Sequence, residues 1–108
     1  DGTVKTKIYQ NILDEYSIET ILPDEPNQAS VMKAIYAVKA GYDLRNAKQI
    51  LDPALIYMSQ RVDTVIAGCT ELPMLLREHT HGLRVIDTLR VLARRIVEQA
   101  LGIELADK

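Results

Sequence analysis

The run Thr64-Val65-Ile66-Ala67, closed by Gly68, most constrains the fold of this chain. A short, nearly uninterrupted apolar stretch ending in glycine suits a parallel strand buried on both faces, and a parallel strand needs covering helices. Helical periodicity flanks it. Val31, Ala34, Ile35, Val38 and Tyr42 recur at helical spacing between Gln28 and Tyr42, with Gly41 where a C-terminal cap belongs. Leu89, Leu92, Ile96 and Ala100 line a last helix capped by Asp87-Thr88 and ended by Gly102.

The remaining segments fit the same alternation. Thr3 caps a first helix whose Ile8, Ile12 and Tyr16 face the core, and Thr20-Ile21-Leu22 reads as a strand stopped by Pro23. Between Arg45 and Gln60 the pattern is helical, and Asp52-Pro53 predicts a break or restart. Leu72 to Arg77 forms a helical turn, and Leu83-Arg84-Val85-Ile86 is a further strand. The expected class is α/β, a parallel sheet with helices on both faces, built by right-handed crossovers. The chain opens on a Gly-Thr turn that normally follows a strand, so a first strand is expected to be missing and the unit to be cut at its N-terminus.

At 108 residues and 47% hydrophobic content the chain suits one domain, residues 1–108. It has no Phe or Trp, so Leu, Ile, Val, Met and five Tyr are expected to fill the interior. A net charge of -2 gives no field for steering nucleic acid or an anionic membrane, and neither partner is expected. No apolar run reaches bilayer length and Asp1-Gly2-Thr3 is unlike a signal peptide, which predicts a cytoplasmic protein. The single cysteine excludes an internal disulfide and argues against a structural metal site.

Ligands of open parallel sheets bind beyond the carboxyl ends of the strands. Three turns lie there: Gly2-Thr3, Gly68-Cys69-Thr70-Glu71 and Ile86-Asp87-Thr88. Cys69 is expected on the turn into a helix, where backbone N–H groups and the helix dipole favour an anion and a thiolate could act as a base. By position alone it reads more readily as a small buried hydrophobe. Thr70 and Glu71 either orient the thiol and bind substrate or simply cap the turn; Thr3 and Thr6 carry the same double reading. Asp87 reads as an N-cap. Lys39 borders the apolar face of its helix, so its ammonium either reaches a ligand or extends into water. His79 and His81 resemble a weak metal pair but read better as surface histidines. No phosphate loop, zinc-protease signature or nucleophilic triad is present.

Taken together, Gly2-Thr3 with Thr6, Ile35-Tyr36 before Lys39-Ala40-Gly41, Gly68-Cys69-Thr70-Glu71-Leu72-Pro73 and Val85-Ile86-Asp87-Thr88 resemble the aspartate/glutamate racemase family. The resemblance spans essentially the whole chain and matches the second of two similar α/β lobes, each of which contributes a cysteine to a cleft between them. It implies a two-base mechanism without pyridoxal phosphate or metal, so no cofactor. One thiolate removes the proton alpha to the substrate carboxylate, and the opposite thiol returns one to the other face. It further implies Cys69 as the second acid/base thiol, Thr70 and Glu71 as its neighbours, and Thr3 and Lys39 as contacts for the carboxylates of a small amino-acid or dicarboxylate substrate. The partner would be the missing N-terminal lobe, and a homodimer is implied. Glu71, where cell-wall glutamate racemases carry histidine, favours an aspartate-type or broad-specificity enzyme. Alternatives are a hydantoin racemase, a maleate isomerase or a non-catalytic binding module, and the fragment alone is expected to be inactive.

Overall fold

A computed structural model describes residues 7–76 and 79–106. Among these residues, four helices and one small sheet follow in the order α1 (Ile8–Glu15), α2 (Glu25–Lys39), α3 (Leu44–Ser59), β1 (Thr64–Ala67), a 3-10 turn (Leu72–Met74), β2 (His79–Thr80), β3 (Leu83–Asp87) and α4 (Thr88–Leu101). The class is α/β, as expected. Parallel pairing is confined to β1 and β3, in the register Thr64 to Arg84 through Ala67 to Asp87, while β2 runs antiparallel along the far edge of β3. The connection from β1 to β3 is built from the 3-10 turn and β2 rather than from an α-helix.

The core lies between α2, α3 and the sheet. Ala34 and Ala37 of α2 meet Ala47, Leu51, Ala54, Leu55 and Met58 of α3, with Leu75 and Leu83 completing the cluster and Val65 packed against it. Four alanines at this contact let the two helices approach closely, because interaxial distance follows the size of the side chains between them. The interior is aliphatic, as the composition requires, but the tyrosines do not fill it. Tyr16, Tyr36 and Tyr42 are exposed, and only Tyr57 packs partly against the cluster.

Local signals explain the element ends. Asp24 accepts from the Asn27 N–H at 3.3 Å and Pro26 sits in the first turn of α2, where a missing N–H costs nothing. Gly41 adopts φ +80 just past the α2 cap, a left-handed conformation that disfavours a side chain. Asp87 accepts from the backbone N–H of Leu89 and Arg90 at 3.1 and 3.3 Å, and Gly102 ends α4 at φ 63.

Three expectations are corrected. Helix α3 runs unbroken through Pro53. An internal proline costs about 3 kcal/mol, and Leu51, Ala54, Leu55 and Met58 offset this because each buried Leu or Met side chain contributes roughly 1.5–3 kcal/mol. A break at Pro53 would misplace the last three of them. Residues 18–24 form no strand: Ile18, Ile21 and Leu22 are exposed, and no described strand lies beside them to complete a ladder. Finally, α1 and α4 bury none of their residues. Ile12 is 52% exposed, Leu92 56% and Ile96 58%, so the apolar stripes predicted to face a core are open in this chain. Helix α1 begins after Lys7, and the proposed caps Thr3 and Thr6 lie outside the described residues.

Candidate functional site

The carboxyl end of β1 carries the segment singled out by sequence. Ala67 is buried, Gly68 and Cys69 are half-buried, and Thr70 is exposed, so the chain rises from the core to the surface over four residues. Cys69 is a free thiol. The expected helix after it is only the three-residue 3-10 turn Leu72–Met74, which is too short to build a dipole comparable with an α-helix. The polar side chains around this turn engage one another instead.

Those side chains converge on Glu71. The Thr70 hydroxyl donates to Glu71 Oε2 at 3.1 Å, Lys39 Nζ stands 3.7 Å from Oε1, and the Cys69 thiol lies near enough to favour the charged carboxylate slightly. Lys39 comes from the last turn of α2, so this ion pair ties the turn to the neighbouring helix. Its side chain is 56% exposed against 20% for Glu71, which makes the pair a loose one. Partial desolvation pushes the Glu71 carboxyl up. Its own backbone N–H, the Thr70 hydroxyl, the Lys39 ammonium and the Cys69 thiol together outweigh this and hold it below the ordinary glutamate value.

A carboxyl held low when folded adds stability above its unfolded value and loses it as pH falls through the folded one. Thr70→Ala and Lys39→Met should each return the Glu71 midpoint toward the ordinary value, read from the carboxyl chemical shift during an acid titration. An unchanged midpoint in both variants would show that these contacts do not form in solution.

A second contact joins the neighbouring strand end. The Thr88 hydroxyl donates to the Ala67 carbonyl at 3.2 Å, bridging the start of α4 to the residue two before Cys69. Sequence reading placed Asp87 correctly as a cap but missed this role of Thr88. The available signal was a hydroxyl at the first position of a helix that directly follows a strand parallel to β1. Elsewhere, His81 Nε2 and Asp52 Oδ1 stand 2.5 Å apart, so His81 fastens the tip of the β2–β3 turn to α3 beside Pro53. His79 lies in β2; its side chain is outside the described residues. Among the described residues no group of three His, Cys, Asp or Glu side chains could hold a metal ion, and no helix is long and apolar enough to cross a membrane.

The structure thus gathers Cys69, Thr70, Glu71 and Lys39 and leaves Thr3 undescribed. Residues 1–96 match the family described as Asp/Glu/Hydantoin racemase. The chain belongs to this family. Within that racemase family, the fold is similar to the Picrophilus torridus aspartate racemase, with a TM-score of 0.79 and 34% identity over 96% of this chain and 43% of that one. By sequence it is 28% identical over 102 residues to the broad specificity amino-acid racemase RacX of Bacillus subtilis (strain 168), covering 94% of this chain and 44% of RacX. It is 37% identical over 100 residues to a Pectobacterium carotovorum subsp. carotovorum protein described as an uncharacterized protein in the pnlA 3' region, covering 90% of this chain and 66% of that protein. The chain therefore spans less than half the length of the two named racemases.

Proposed function

We propose that this chain forms one lobe of a cofactor-independent amino-acid racemase acting on aspartate, or broadly on aspartate, glutamate and related amino acids, with Cys69 as one of two acid/base thiols. The observation that carries this reading is the convergence of Cys69, Thr70 and Lys39 on Glu71 at the carboxyl end of β1. Inversion at an α-carbon needs a base on one face of a planar carbanion and an acid on the other. A half-buried thiol next to an ammonium that can meet a carboxylate supplies one face.

The chain holds one cysteine, so the opposing thiol belongs to the other lobe of the enzyme. The share of each named racemase that this chain covers, and the open apolar stripes of α1 and α4, support a partner lobe. Thr3 and Lys39 contact substrate carboxylates in this scheme, and the working unit is a homodimer of two-lobe subunits. Substrates of the aspartate type suit Lys39 better than hydantoins, which present no free carboxylate to it.

The test is exchange of the α-proton in deuterated water, followed together with optical rotation on L- and D-aspartate, using the chain joined to a first lobe. Exchange with loss of optical activity is the expected result. No exchange from either enantiomer, with glutamate and alanine equally inert, would sink the reading.

A further inference from the structure

The Lys39–Glu71 pair has a chemical oddity for a site meant to receive carboxylates: the ammonium already faces one. Lys39 Nζ is 3.7 Å from Glu71 Oε1, and the carboxylate is kept in place from its other side by the Thr70 hydroxyl at 3.1 Å on Oε2. Glu71 is thus fixed by the turn that follows β1, while Lys39 is the mobile member, reaching over from α2 with more than half of its side chain in water. A flexible, solvated ammonium can swing between two acceptors at little cost, whereas the tethered carboxylate cannot follow it.

We propose that Glu71 is an internal competitor for Lys39, a stand-in for a substrate carboxylate, and that it sets how strongly the site favours carboxylate ligands. This rests on the racemase reading of the same site. A carboxylate ligand that takes Lys39 displaces Glu71, which stays bonded to Thr70 and its own turn. The ligand therefore gains only the difference between two ammonium–carboxylate contacts. Such an arrangement weakens the advantage of dicarboxylates over ligands that need no second cation, and so broadens selection.

Succinate is a suitable probe, because it carries two carboxylates and has no amino group with which to enter turnover. Glu71→Gln keeps an amide oxygen to accept from Thr70, so the turn is retained while the charge competing for Lys39 is removed. Exposed ion pairs are weak, so Glu71→Gln should bind succinate only about two- to fivefold more tightly than the wild type in an NMR titration. In the wild type, the nuclear Overhauser contact between the Lys39 Hε and Glu71 Hγ protons should vanish at succinate saturation. A general easing of anion repulsion would tighten binding without removing that contact. Equal or weaker binding by Glu71→Gln, or a Lys39–Glu71 contact that persists at saturation, overturns the competition and leaves the racemase reading standing. With the chain joined to a first lobe, failure of the wild type to bind succinate or aspartate at all overturns both.

Discussion

Cys69→Ser is expected to lower racemisation by about 10²–10⁴-fold in the complete two-lobe protein, the range that a positioned acid/base group contributes. A serine hydroxyl is close in size to the thiol and keeps a hydrogen-bonding group there, but does not ionise near neutral pH. The sharper part of the expectation is symmetry. In one direction Cys69 removes the proton and in the other it returns one, so L-to-D and D-to-L inversion should fall together. Stopped-flow circular dichroism on both enantiomers of aspartate measures this. Rates within tenfold of wild type, or a loss confined to one direction, would remove Cys69 from the proton path.

Leu51→Ala should destabilise the chain by about 2–5 kcal/mol, because Leu51 is 2% exposed at the centre of the α2–α3 contact and its loss leaves a cavity that rigid helices close poorly. Out of a total of about 5–15 kcal/mol, this is a large fraction. Urea denaturation reads it as a lower midpoint with an unchanged slope. Leu92→Ala, on the open face of α4, is the natural contrast and should fall within about 0.5 kcal/mol of wild type in the 108-residue chain. Equal costs at the two positions would mean that α4 is covered in solution. A cost of under about 1 kcal/mol at Leu51 would misplace the core.

The two positions also show what the sequence could and could not disclose. Periodicity located α2, α3 and α4 well, and Gly41, Asp87 and Gly102 marked their ends, because caps and apolar repeats are local signals. Periodicity identifies an apolar stripe without saying what covers it. Ile12 and Leu92 carry the same pattern as Leu51, yet among the described residues only the last is buried in the core cluster. The same gap misled the reading of Thr20–Leu22, where an apolar run has no neighbouring strand among the described residues to pair with. At Pro53 a strong local rule was overridden by tertiary packing on both sides of it.

The site was legible in part. The turn from Gly68 to Glu71 lies at the end of the expected strand, although only Ala67 of β1 is buried rather than both faces of it, and Lys39 was placed at the border of its helix's apolar face. What spacing could not supply was the meeting of Lys39 with Glu71, which depends on how α2 docks against the sheet. Nor could it show that the turn leads into a single 3-10 turn rather than an α-helix, since Pro73 is equally acceptable in the first turn of either.

The bond from the Thr88 hydroxyl to the Ala67 carbonyl has a mechanical consequence. Helix α4, with 14 residues at about 1.5 Å each, is a lever roughly 20 Å long, and its pivot is pinned two residues before Cys69. A load applied along its open apolar side would be transmitted as a tilt of the strand end on which the thiol is mounted. The start of α4 and the strand end two residues before Cys69 are therefore mechanically coupled, and Thr88→Val would uncouple them.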